Sequence, residues 1–342
     1  MKTEPEDIPE PDRVPGAPHP RHTDRVIGQD NAIAEFMEAA QGGRLHHAWL
    51  LTGPRGVGKA TLAWAIARWM LSGASGPFGA TDTPEARRVA ALSEPRLHLV
   101  RRPWDDKAGR LSAQITVDEI RRLLSFFHLS AAEGGRRVAI IDAADDMNLA
   151  AANALLKVLE EPPADALILM IAHQPAGLLP TIRSRCRVLR LQPLPEAGVE
   201  RILELHVPDA GARERAAAAS RAGGSARRAL LMLLGGGLEL AGEAERLYAA
   251  PPAWSAIQKL GEQLAMKGRE AAFELVSEEL FGLLARDAQD RQAAGHAGEA
   301  AALAAFRYGT LMTASARFET SADKLTYSGP TGGSIPHPPY PD

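Results

Sequence analysis

The chain has 342 residues, a formal net charge of −3 at pH 7 and one cysteine, Cys186. That length predicts two or three domains, and 45% hydrophobic against 24% charged residues is an ordinary globular composition. A single thiol excludes an intramolecular disulfide and a four-cysteine zinc site, and the acidic balance argues against a free-standing, strongly basic DNA-binding domain. The longest apolar run, Ala166 to Ala172, is too short to span a bilayer. The opening MKTEPEDIPEPD lacks the basic and apolar blocks of a secretory leader. These features predict a cytoplasmic protein.

Residues 1–20 hold six prolines and five acids and read as a disordered tail. Residues 21–191 then alternate apolar strands with amphipathic helices. The strands are expected at His47–Thr52, Leu97–Arg101, Arg137–Asp142, Leu167–Ala172 and Val188–Leu191, and helices near Gln29, Gly58, Asp118, Asn148 and Leu178. This alternation implies an α/β domain with a mostly parallel sheet flanked by helices. Between strands, Ser72 to Arg96 reads as a polar loop with a short helix. Residues 192–237 are helical and alanine-rich, opened by Pro193 and Pro195 and closed by Gly235, Gly236 and Gly237, as in a small separate domain. Residues 238–328 are expected to form an all-helical domain. Its stripes are Trp254, Ile257, Leu260 and Leu264, then Phe273, Val276, Leu280, Leu283 and Leu284. Residues 329–342 read as a second disordered tail.

Within the first domain, the strand ending at Thr52 runs into Gly53-Pro54-Arg55-Gly56-Val57-Gly58-Lys59 and then into a helix with Leu62, Ile66 and Trp69. This is the strand–loop–helix setting of a P-loop. Gly53, Gly56 and Gly58 let backbone N–H groups wrap a polyphosphate, the helix N-terminus favours the anion, and Lys59 is placed to reach the β/γ-phosphates. The motif ends on Ala60 where Ser or Thr supplies the magnesium-binding hydroxyl. Thr61 is turned about 100° around the helix and does not replace it.

A second acidic element follows. Arg137-Val138-Ala139-Ile140-Ile141-Asp142 reads as a buried strand ending in an acid placed to hold Mg²⁺ directly or through water. The next residue, Ala143, stands where a glutamate would polarise the attacking water. Asp145 and Asp146 read as a helix N-cap. Losing a single catalytic base typically costs about 10²–10⁴ in rate. With hydroxyl and base both gone, hydrolysis at this site is expected to be negligible, while weak or structural ATP binding remains open.

At this point the sequence resembles the AAA+ clamp-loader subunits of bacterial DNA polymerase III. The motifs that carry the resemblance are Val26-Ile27-Gly28-Gln29, Arg44-Leu45-His46-His47-Ala48-Trp49, Asn153-Ala154-Leu155-Leu156-Lys157-Val158-Leu159-Glu160-Glu161-Pro162-Pro163 and Thr181-Ile182-Arg183-Ser184-Arg185-Cys186. It implies an AAA+ P-loop domain, a helical lid over 192–237 and a collar domain over 238–328. It makes Arg185 a trans arginine finger for a neighbour's nucleotide, a role that suits a planar, permanently charged guanidinium. Arg183, Arg187 and Arg190 accompany it on a basic strand. The resemblance also puts His173 at the sensor 1 position and Arg227, in Gly223-Gly224-Ser225-Ala226-Arg227-Arg228, at the phosphate-facing sensor 2 position. The zinc module of related subunits has no cysteines here, so no zinc is expected.

The partners implied are gamma/tau-type ATPase subunits and a delta subunit in a heteropentameric ring. The sliding clamp and primer–template DNA are partners of the whole assembly. The chain would then help load the clamp during DNA replication as part of the polymerase holoenzyme, catalysing nothing on its own nucleotide. An Asp118-capped helix has Ile120, Leu123, Leu124 and Phe127 on its apolar side; the resemblance implies that it lies near the DNA, where Arg121 or Arg122 would contact phosphate, and the other reading of these arginines is surface charge. The alternative is an active AAA+ motor, such as a branch-migration helicase or protein unfoldase. It requires a Ser or Thr after Lys59 and an acid after Asp142, and neither is present.

Overall fold

A computed structural model describes residues 10–296 and 298, apart from 12, 44, 75–77, 129–134, 235, 250–259, 265, 267 and 268. The chain divides into two compact units, residues 1–238 and 239–342. In the first, a parallel sheet carries β1 (Ala48–Thr52), β2 (Leu97–Arg101), β5 (Arg137–Asp142), β6 (Ala166–Ala172) and β7 (Arg187–Arg190) in the order β2-β5-β6-β1-β7. The five expected strands are present within one residue at each end. A two-stranded hairpin, β3 (Trp104–Asp105) with β4 (Arg110–Leu111), was not legible because arms of two residues carry no periodicity. Its turn is held by the Asp105 carboxylate, which accepts the N–H groups of Lys107 and Ala108.

Every residue of β1 and β6 is buried, as expected for central strands covered on both faces. Alternate side chains feed two cores. Trp49, Leu51, Val138, Ile140, Leu167, Leu169 and Ile171 join α1 (Asp30–Gln41) and α2 (Lys59–Leu71) on one side. Leu50, Ala139, Ile141, Ile168 and Met170 join α4 (Val117–His128) and α5 (Leu149–Glu160) on the other. Between α2 and β2, α3 (Pro84–Ala90) is the short helix expected in the polar segment, capped by the Thr83 hydroxyl. The helix begun near Leu178 is the single turn α6 (Pro180–Arg183).

Two readings need correction here. Residues 13–20 are not a disordered tail. Val14, Ala17 and His19 are buried, the His19 ring packs edge-on against Trp64, and the Arg68 guanidinium of α2 donates to the carbonyls of Arg21 (2.8 Å) and Thr23 (2.6 Å). Glu10 pairs with Arg21 and Arg101. Composition averages over a window, whereas this segment docks through a few anchors. Asp118 does not cap α4, which begins at Val117. It lies in the first turn, where its charge suits the helix N-terminus, and binds Arg121 at 2.8 Å. Arg122 likewise pairs with Glu119, so both arginines have partners on their own helix. The glycines after residue 234 do close the preceding helix, which ends at Leu234, and the next helix starts on Gly237.

Helices α7 (Glu196–His206), α8 (Ala212–Arg221) and α9 (Ala226–Leu234) pack on one another around Val199, Leu203, Ala218, Ala219, Ala229 and Met232. In the second unit, α10 (Gly237–Ala249), a helical stretch over 260–264 and α11 (Glu270–Ala293) bury Ala244, Leu260, Leu264 and Val276 together. Tyr248 donates to Asp287 at 3.0 Å. Phe273 and Leu280 flank this cluster, as the second stripe predicts. Trp254, Ile257, Arg44, residues 1–9 and the expected tail at 329–342 lie outside the described residues. No helix among the described residues is long and apolar enough to cross a membrane.

Candidate functional site

In a parallel sheet, ligands bind beyond the carboxyl ends of the strands. Here the ends of β1, β6 and β5 are neighbours. Thr52 lies beside Ala172 and Asp142 beside Ile171, so the phosphate loop after β1, His173 after β6 and Asp142 on β5 converge. Gly53, Gly56 and Gly58 all have positive φ. At Gly58 (φ 99°) a β-carbon would meet nothing within 4 Å, so the loop faces open space there. At Gly56 (φ 82°) it would lie 2.1 Å from Ser225 Oγ and 2.7 Å from Arg227 Cβ. Only glycine permits that approach of α9 to the loop. The Arg227 N–H faces the Gly56 carbonyl at 3.4 Å.

The buried Lys59 ammonium donates to the Gly53 and Pro54 carbonyls, both at 2.6 Å. Burial lowers its pKa from 10.5 to about 8, against the opposing pull of Asp142 and Asp145. A base depressed in this way disfavours the folded state while it is protonated. The unfolded chain binds more protons between pH 8 and 10.5, so stability rises with pH across that window. Lys59→Met is expected to flatten the rise in urea unfolding measured at pH 7.5 and 9.5. An unchanged slope in the variant would assign the rise to another group.

Asp142 is buried at the end of β5, and Ala143 follows it, also buried. Ala60, in the first turn of α2, packs its methyl against the core. Neither alanine offers an oxygen. Asp145 and Asp146 are not the N-cap of α5. Asn148 takes that place, its side chain accepting the Ala151 N–H at 2.8 Å, because the chain first makes a 3₁₀ turn over Ala144–Asp146. Asp146 pairs with Arg102 at 3.2 Å. The Asp145 carboxylate accepts the N–H groups of His173 and Gln174. Burial, then the charges of Lys59, Arg55 and Arg227, push the His173 imidazole down to about 3. Those three cations therefore face one neutral ring.

Gln29 was legible only as part of a motif. Its buried amide ties three segments together. Nε2 donates to the Val57 and Gln192 carbonyls at 3.0 and 2.8 Å, and Oε1 accepts the Gln192 N–H at 3.2 Å. The loop after β1 is thus fixed to the segment that links β7 to α7.

Arg185 stands apart from this cluster. It precedes β7, whose Arg187 pairs with Trp49 near the start of β1, while the phosphate loop follows the end of β1. Four residue steps, roughly 13 Å of strand, separate the two levels. Arg185 contacts Glu160 at 3.0 Å and the Thr181 carbonyl at 3.0 Å. Arg187 pairs with Glu35 and lies over the Trp49 ring. The half-buried Cys186 thiol is pushed up to about 12 by desolvation and donates to the Ile182 carbonyl. Among the described residues, no group of three or more His, Cys, Asp or Glu side chains is arranged to hold a metal.

A family model described as DNA polymerase III, delta subunit, matches residues 28–195. The delta' subunit of DNA polymerase III from Pseudomonas aeruginosa is 42% identical over 158 residues, 46% of each chain. Over residues 28–195 the chain is similar to DNA polymerase III clamp-loader subunits. The Bacillus subtilis delta' subunit is 36% identical over 171 residues, 50% of each chain. The chain spans about half the length of the curated relatives it matches. A gamma subunit-related protein of Thermotoga maritima is 19% identical with a TM-score of 0.37, over 78% of this chain and 75% of that one. The family match contains the phosphate loop, Asp142, His173 and Arg185, and it stops before Arg227.

Proposed function

We propose that this chain is a delta-prime-type, non-hydrolysing subunit of a clamp loader. It keeps a cradle for ATP phosphates in Gly53, Gly56, Gly58 and Lys59, flanked by His173 and Arg227, and lends Arg185 to the nucleotide of a neighbouring subunit. The observation that carries this reading is the division of chemistry between the two ends of the sheet. At the carboxyl ends the cradle is built, yet Ala60 and Ala143 stand where the metal-binding hydroxyl and the water-activating acid belong. At the other end, Arg185 lies too far from its own loop to serve it and is exposed enough to meet another chain.

The donor set fits a polyphosphate better than a catalytic magnesium ion. The loop offers backbone N–H groups and a lysine, and Asp142 is the one acid on the adjoining strand. Magnesium bound there with ATP would neutralise phosphate charge, with Asp142 as its protein ligand. Chemistry must then come from partners, which the reading takes to be gamma/tau-type ATPases and a delta subunit in a five-membered ring. Such a ring acts on a sliding clamp and primer–template DNA. A ring made only of this chain would be inert.

The test uses the isolated full chain with ATP and magnesium. Binding, followed by calorimetry, is expected to be weak, and phosphate release is expected to stay at background. Release well above background that disappears in Lys59→Ala would overturn the non-hydrolysing assignment.

A further inference from the structure

We infer that Asp145 is a positioning residue: it holds His173 in place at the phosphate site and acts through that imidazole. This rests on the reading of the strand-end cleft as a nucleotide site. The observation is one carboxylate oxygen, Oδ2, taking two backbone donors from a distant segment, the N–H of His173 at 2.6 Å and of Gln174 at 2.9 Å. The strand ladder has run out at this point. The register of β6 with β1 ends at Ala172 and with β5 at Ile171. The next two N–H groups therefore need an acceptor from elsewhere, and Asp145 supplies it.

The acceptor is itself anchored. The Asp146 N–H donates to the Ala143 carbonyl at 3.0 Å, the Ile115 N–H donates to the Asp146 carbonyl at 2.7 Å, and Arg102 holds the Asp146 carboxylate. Asp145 Oδ1 and His173 Nδ1 are both buried without a hydrogen-bond partner among the described residues. The ring is faced by Lys59 from α2, Arg55 from the phosphate loop and Arg227 from α9. Asp145 lies on the turn behind it, and Asp142 and Asp145 both act on Lys59. An imidazole kept neutral there, with a ring nitrogen unpartnered among the described residues, keeps a hydrogen-bonding group beside the three cations that would attract an anion.

The experiment follows ¹³C-labelled histidine rings in the full chain by NMR, with the His173 signal assigned by its loss in His173→Gln. In the wild-type protein this ring is expected to stay neutral from pH 8 to pH 5. In Asp145→Leu the freed segment is expected to let the ring titrate near the ordinary histidine value of 6.5. The direction is diagnostic. Removing a carboxylate by itself makes protonation harder, so a rise reports release of the ring. Asp145→Asn keeps an acceptor oxygen and is expected to hold the ring neutral. A ring that stays neutral in Asp145→Leu, or an Asn variant that titrates like Leu, overturns the proposal.

Hydrogen exchange gives a second measurement should the Leu variant fail to fold. The His173 and Gln174 amides are expected to be protected in wild type and in Asp145→Asn, and fast exchange in the wild type sinks the idea. Adding ATP with magnesium separates the two readings. Unmoved His173 signals with the Leu–Asn contrast intact would remove nucleotide binding and leave the positioning role standing. ATP-shifted signals with no such contrast would remove the positioning role alone.

Discussion

Arg185→Ala is expected to lower DNA-stimulated ATP turnover in a clamp loader reconstituted from this chain and its cognate subunits, without preventing assembly. Removing an arginine finger typically costs about 10³ or more at the site it completes. In a ring with several nucleotides, only the neighbour's site suffers that loss. Single-turnover measurement should therefore resolve one slow site, while steady-state turnover falls by that site's share. The protein itself should fold normally. The Arg185–Glu160 contact is between partly exposed side chains, and such pairs contribute about 0–1 kcal/mol. For the same reason, little energy opposes moving the guanidinium from Glu160 to a phosphate. Arg185→Lys keeps the charge and loses the planar fork, so it should not restore the rate. Unchanged single-turnover kinetics in Arg185→Ala would remove the trans role.

Arg68→Ala is expected to be strongly destabilising for the first unit. The side chain is 1% exposed and is the only donor holding both the Arg21 and Thr23 carbonyls from the far side of α2 among the hydrogen bonds described. Truncating a large buried side chain costs roughly 2–5 kcal/mol, and each carbonyl left without its donor adds about 1–3 kcal/mol. Relief of the buried charge offsets part of this. Burial already lowers the guanidinium to about 10, which marks a desolvation cost in the native protein. A net loss of about 3 kcal/mol is expected from these terms, read as a lower urea midpoint. The segment over residues 13–23 should also become open to proteolysis. Arg68→Met keeps most of the packing and should lose less. A wild-type midpoint with an intact segment in Arg68→Ala would show that the segment is held elsewhere.

The strand at Arg137–Asp142 was legible to the residue, because a strand buried on both faces is a contiguous apolar run bounded by polar residues. The glycine-rich loop after β1 was legible for a different reason. Its glycines answer a backbone requirement, and that requirement is local. The roles of Arg68, Asp145 and Gln29 were not legible. Each binds backbone groups 28 to 163 residues away in sequence, and no local pattern encodes a distant carbonyl or N–H. The docking of residues 13–20 was missed for the same reason, since proline and acid content describes a window and not its contacts.

By itself, then, the chain's order of residues determined the alternation of strands and helices, the glycine-rich loop after β1, and the alanines at positions 60 and 143. All of these follow from hydrophobic period and side-chain chemistry within a few positions. Only the tertiary structure decided that β6 lies between β1 and β5, which sets His173 between Lys59 and Asp142, and that α9 closes on Gly56. It also decided that Arg185, just before β7, lies near the opposite end of the sheet from its own loop. Strand order and helix docking arise from long-range burial and hydrogen bonding, which depend on the whole chain packing at once.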